Sequence, residues 1–297
     1  VKILEYLRTP EIAAIYLDAL LAGLPVVLMC AALSVFVVVK RLGFVGQGVS
    51  HSAFGGVGVA AVLLAMGVLP VSSTWGPVAQ FGVIVAFCLL AAWGIGMVSS
   101  RRTLPVDTAI GVFLVGSMAM GAILVQVGRE LAAKNGRVGL VQSWESILFG
   151  SLTGAGIGDV WMSAVLASGV LLLLWWYRRP LLFWVLDEDS AAAFGIRTSR
   201  IKFLLMTLLA VTIVTAMKLT GVILATALLA LPGAIALRVS SRLKQVLAIS
   251  MASGVVSLVG GMVLSIETDW PMGPSVVAVL IGLFAATWAM PRAVRAA

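Results

Sequence analysis

The chain has 297 residues, of which 61% are hydrophobic and 11% charged, with a mean hydropathy of +1.13. Soluble globular chains are about a quarter charged, so these charges cannot cover a water-exposed surface; a soluble enzyme and a disordered chain are both excluded. The apolar runs are continuous and do not alternate, which excludes an outer-membrane barrel and defines an all-α polytopic membrane protein.

A spanning helix needs about 20 apolar residues. The sequence predicts spans over 12–39, 49–69, 78–99, 107–127, 158–177, 201–217, 219–238, 246–265 and 274–290. The sixth and seventh are separated only by Lys218 and its neighbours, so one of them is a half-span or a sharply broken helix. Eight or nine transmembrane helices in a single domain, 1–297, are expected. No polar stretch is long enough for a soluble domain. The first apolar run is too long for a cleavable signal peptide and lacks its basic start.

Orientation follows from lysine and arginine. Strict alternation places Lys40, Arg41, Arg101, Arg102, Arg178 and Arg179 inside, with Arg197, Arg200, Lys202, the Arg238–Lys244 group, Arg292 and Arg295. Lys2, Arg8, Arg129, Lys134, Arg137 and Lys218 remain outside. The N-terminus is then outside and the C-terminus inside. The net charge of +8 is therefore read as topology and attraction to anionic lipid, with no nucleic-acid partner.

Glycines recur within single spans: Gly55, Gly56 and Gly58; Gly111, Gly116 and Gly121; Gly254, Gly260 and Gly261. Small residues let helices approach closely where lipid removes the hydrophobic drive. Plain packing is the expected role, with a sliding, gating interface as the other reading. Cys30 and Cys88 lie in apolar runs without a C-x-x-C and read as packing residues.

Chemistry is sparse. His51 is the single histidine. Gln47 precedes it by four residues, on the same helical face, and Ser50 flanks it. A histidine within a span must find a partner or a water-filled path. Neutral imidazole is also a good ligand for first-row transition metals. A structural histidine bonded to a backbone carbonyl and a metal contact both remain open. Asp18, near the outer end of the first span, either reaches the interface or contributes to an outward cavity. Asp269, in the turn 267–274, is a further outer-cavity candidate.

No Walker motif, G-x-S-x-G or H-E-x-x-H is present, so neither ATP binding by a phosphate loop nor hydrolase chemistry is expected. Two basic-side segments stand out. Asp187–Ile196 reads as a short acidic helix start that ends at Gly195. Residues 231–245, with Pro232, Gly233, Ala234, Arg238 and Arg242, read either as a short helix held across the cytoplasmic face or as a kinked helix with a basic end.

The ordered set of segments resembles the permease subunit of the metal-ion ABC importers. Gly46–Gly56 is similar to that family's "GDALSH…G", Leu148–Ser151 to "LFGS", and Asp187–Gly195 to "DEE-A---G". Thr220–Ala236 is similar to "VG-LL--ALL-LPAA-A". Ser265, Asp269, Pro271, Gly273 and Pro274 follow "S---D-P-GP". The resemblance runs from about residue 15 to 290.

It implies a type II importer architecture in a bacterial plasma membrane, with a second permease copy or paralogue. It also implies separate ABC ATPase subunits and an extracytoplasmic metal-binding protein. Zinc, manganese or iron would be the cargo, with no tightly bound cofactor and no catalytic residue in this chain. Residues 231–245 would be the coupling helix, and His51, Gln47 and Ser50 would line the metal path. One departure stands out: the family's Asp four residues before the histidine is Gln47 here. That removes a negative charge which a hard divalent ion prefers. A metal chelate or other small solute is therefore the alternative cargo.

Overall fold

A computed structural model describes residues 10–70, 76–100, 105–136 and 154–289. Ten helices lie among them: α1 Pro10–Val39, α2 Gly43–Ala65, α3 Gly76–Ser100, α4 Val106–Lys134, α5 Ile157–Trp176, α6 Arg178–Leu186, α7 Glu188–Ala193, α8 Thr198–Val239, α9 Leu243–Thr268 and α10 Met272–Ala289. Eight are long and apolar enough to cross a membrane; α6 and α7 are not. The long helices lack a polar face, because lipid on one side and packed neighbours on the other both favour apolar side chains.

The two runs flanking Lys218 form one 42-residue element, α8, with a break inside it. Gly221 has φ 78° and ψ 169°, a backbone region that only glycine enters without strain. It divides α8 into limbs 198–220 and 222–239. Contacts within one part of the chain fix their course. Glu188 of α7 pairs with Lys40 just past α1 at 3.2 Å, and residues 194–197 alone join α7 to α8. Lys218, at the far end of the first limb, lies 2.8 Å from Asp159 at the start of α5. The second limb returns, for Gly233 lies on Ser34 and Arg238 on Thr287, near the ends of α1 and α10. The chain therefore traverses twice within α8.

The helices divide into two compact units. The first contains α1, α5, α6, α7, the second limb of α8, α9 and α10. Here α9 runs antiparallel to α1, since Ser250 Oγ donates to the Ala31 carbonyl at 2.6 Å while Gly254 meets Val27. It is antiparallel to α10 as well, where Gly261 meets Val276 and Gly260 meets Val279. So α1 begins on one side and α10 ends on the other, the topology that the basic residues imply. Pro232 cannot donate a backbone bond; the next residue, Gly233, donates its N–H to Ser34 Oγ at 2.6 Å. A Cβ at Gly233 would lie 2.6 Å from the Ser34 carbonyl, so the absent side chain is what lets α8 and α1 touch.

The second unit contains α2, α3, α4 and residues 199–214 of α8. Gly48 faces Ile110, Gly58 faces Gly121, and Gly128 faces Ala61, so α2 and α4 are parallel. Asn135 Nδ2 closes this pair by donating to the Ala65 carbonyl at 2.9 Å. Gly56 rests on the backbone of Ile84 in α3. Packing thus accounts for Gly55, Gly56, Gly58 and Gly121, but Gly111 and Gly116 have no neighbour within 4 Å.

Residues 231–245 do not form a separate helix. Residues 231–239 complete α8, residues 240–242 bend, and α9 starts at Leu243. Pro232 lies inside α8, and the Gly233 N–H beside it is held by Ser34 Oγ. The short helices at this end of the first unit are α6 and α7. Leu181, Trp184 and Val185 of α6 are buried. Asp187 caps α7, accepting from the Asp189 and Ser190 N–H groups at 3.1 Å and from the Ser190 hydroxyl. That hydroxyl, then the Ser190 N–H, holds the Asp187 carboxyl below the usual carboxylate range.

Two outcomes follow from this packing. Gly261→Val should lower thermal stability in detergent by about 1–3 kcal/mol, as overpacking does, whereas Gly116→Ala should be neutral or stabilising by up to about 1 kcal/mol. Because the folded pKa of Asp187 is depressed, its cap is fully effective above the ordinary carboxyl value. It is lost as pH falls through the lowered value. Amide exchange at Asp189 and Ser190 should report that loss, and Asp187→Asn should remove the pH step.

Candidate functional site

His51 lies in the third turn of α2, counted from Gly43. Its half-buried ring stands between exposed Gln47 and buried Ser50. His51 Nδ1 is 2.9 Å from the Gln47 carbonyl oxygen and 3.4 Å from Ser50 Oγ. Ser50 Oγ donates to the same carbonyl at 3.0 Å. A carbonyl only accepts, so the Nδ1 bond places a proton on Nδ1, and in the neutral ring the lone pair is then on Nε2. That tautomer is the one a first-row metal meets when a carbonyl orients the ring from behind. The structural partner and the ligand geometry are thus compatible in one side chain. Phe54 stands 6.0 Å from the imidazole, centroid to centroid, at 50°.

The local fold sets this presentation. Gly48, Gly55 and Gly58 press α2 onto α3 and α4, which fixes the helix that carries His51. The predicted trio Gln47, Ser50 and His51 is brought together. Among the described residues no group of three or more His, Cys, Asp or Glu could hold a metal. A lone imidazole offers an ion one neutral ligand.

The other predicted residues are placed apart from this cluster in chain and role. Asp18 is half-buried in α1, and Asp269 is exposed, closing α9 in the left-handed region at φ 57°. Pro232 and Gly233 are buried in α8, with Ala234 half-buried. Arg238 is committed to α10: its Nε donates to the Thr287 carbonyl at 3.1 Å and its guanidinium lies 4.2 Å over Trp288. A cation there satisfies the C-terminal carbonyls of a helix. Arg242 is exposed at the bend. The Leu148–Ser151 segment lies outside the described residues.

Sequence reasoning missed two cationic ties in the first unit. Lys218 bonds Asp159, with Met162 Sδ at 3.7 Å; its only signal was its position between two apolar runs. Lys40 pairs with Glu188 and lies 4.1 Å over the Trp184 ring. Topology had absorbed that lysine as a basic flank.

The comparisons agree on one family. The ABC 3 transport family matches residues 13–290. The "Manganese transport system membrane protein MntC" of Halalkalibacterium halodurans is 31% identical over 268 residues, covering 90% of this chain and 84% of that protein. The "High-affinity zinc uptake system membrane protein ZnuB" of Haemophilus influenzae is 29% identical over 263 residues, covering 89% and 92%. Among solved structures, PsaBC from Streptococcus pneumoniae in complex with Fab matches with a TM-score of 0.77 and 26% identity, covering 96% of this chain and 95% of that one. The chain belongs to the ABC 3 transport family, among the membrane components of metal-ion transport systems.

Proposed function

We propose that the chain is the permease subunit of an ABC importer that carries a divalent transition metal, zinc, manganese or iron, into a bacterial cell across its plasma membrane. The observation that carries this reading is His51, the one imidazole of the chain, held within a span with Nδ1 on the Gln47 carbonyl. Nε2 then meets the cargo. The ion is bound weakly enough to move on. Gln47 offers an oxygen without charge, which favours borderline ions that accept imidazole over hard ions that demand carboxylate. The same substitution motivates the second reading, a chelate or other small solute on this scaffold.

ATP hydrolysis belongs to separate ATPase subunits, and an extracytoplasmic protein delivers the metal to a pair of permease chains. The ATPase contact is assigned to α6–α7 and the bend 240–242, where Ser241 and Arg242 are exposed. Leu186 and Phe194 there are 77% and 79% exposed, and Phe183 supports Phe194 edge-on at 5.5 Å. An aromatic knob beside Glu188 and Asp189 suits a groove on a partner protein.

The test is uptake of a panel of divalent metals into vesicles holding the complex with its ATPase and binding protein. His51→Ala should cut uptake of one metal at least about tenfold, the loss of roughly 1.4 kcal/mol of transition-state stabilisation. Unchanged uptake would make His51 structural. No metal uptake by an ATP-hydrolysing complex would favour the chelate reading. Phe194→Ala should weaken ATPase binding by about 2 kcal/mol if Phe194 is an anchor, seen as loss of the ATPase on co-purification.

A further inference from the structure

We infer that Lys40 is a positioning residue that ties α1 to α6–α7, so that this ammonium helps couple ATP hydrolysis to metal passage. The inference rests on the importer reading above, and specifically on α6–α7 meeting the ATPase.

The geometry begins at the end of α1. Lys40 is the first residue beyond the helix, and Arg41 takes φ 55°. The Lys40 and Leu42 N–H groups return to the Phe36 and Val37 carbonyls at 3.0 and 2.8 Å. Such a cap ties the Lys40 backbone to the helix. Its side chain reaches both short helices at once. Nζ lies 3.2 Å from Glu188 Oε2, at the start of α7, and 4.1 Å over the ring of Trp184 in α6. Trp184 is buried, so this cation is held against a fixed ring, where such contacts are stronger than at open surface.

Leu181, Trp184 and Val185 seat α6 by apolar burial, and an apolar pocket of about 280 Å³ is left between Leu182 and Val185 of α6 and Val35 and Phe36 of α1. Lys40 adds to this seat the polar tie that reaches α6 and α7 together. From α1 the connection passes on through tight polar contacts. Ser34 Oγ accepts from the Gly233 N–H of α8, and the Ala31 carbonyl accepts from Ser250 of α9, both at 2.6 Å.

An exposed ion pair alone contributes little to stability, and that bland role is what the experiment must separate. The assembled complex with its ATPase is compared for native Lys40, Lys40→Met, Lys40→Gln and Lys40→Arg. The first readout is hydrogen exchange with and without ATP in a hydrolysis-blocked complex. In the native complex ATP should change exchange in α6–α7 and in residues 31–39 of α1. In Lys40→Met the change should stay confined to α6–α7. The second readout is metal moved per ATP, which should fall about tenfold, within the usual range of coupling between sites, while ATPase activity persists. Lys40→Arg should restore both.

Native-like propagation to α1 in Lys40→Met overturns the inference. So does failure of both Lys40→Met and Lys40→Gln to assemble, which would make Lys40 a structural clamp. The exchange readout requires no transported metal. A native complex that propagates the ATP signal but moves no metal therefore contradicts the cargo reading and leaves the Lys40 relay standing.

Discussion

The fold depends on close backbone approach between helices that lipid does not push together. Apolar side chains gain nothing from burial when the alternative is a lipid tail, so association relies on packing and on polar contacts. The meeting of α8 with α1 shows both. Gly233 has no side chain to hold the helices apart, and its N–H reaches Ser34 Oγ at 2.6 Å. Pro232 beside it donates no backbone bond, yet the second limb of α8 runs on to Val239.

The same constraint explains why Gly221 can turn α8 back. At the Asp159 end the chain needs a reversal with little loop. Glycine reaches φ 78° without a Cβ penalty, and Lys218 fastens the turn to α5 through Asp159. Gly273 lies against the Thr220 carbonyl at the start of α10, so the turn is held from two neighbours. A break in a helix leaves carbonyls that must find partners, and α5 and α10 both stand beside this one.

Much of this was legible from the amino-acid string. Apolar run length placed the spans, and lysine and arginine placed their ends. The crowding of apolar runs about Lys218 announced that something unusual happened there. What it could not show was the kind of break, since Gly221 reads as one glycine among many in span-like sequence. The segment 231–245 left two readings open, a short crossing helix or a kinked helix with a basic end. The structure has the second form, with α8 running through Pro232 to Val239 and Arg238 in its last turn, a choice that Pro-Gly followed by basic residues could not make. Gly111 and Gly116 misled, because spacing cannot distinguish a glycine facing a neighbour from one facing open space.

His51 was the easier residue to find and the harder to interpret. A lone imidazole in a span attracts suspicion from scarcity alone. Its partner, the Gln47 carbonyl, is available on any helix at i−4, so the bond does not by itself distinguish structure from function. The proposed metal contact rests on the other nitrogen, because a histidine within a span needs a partner or a water-filled path. Here the Gln47 and Ser50 contacts both involve Nδ1. With a proton on Nδ1, Nε2 is the nitrogen that the proposed metal contact uses, on a half-buried ring.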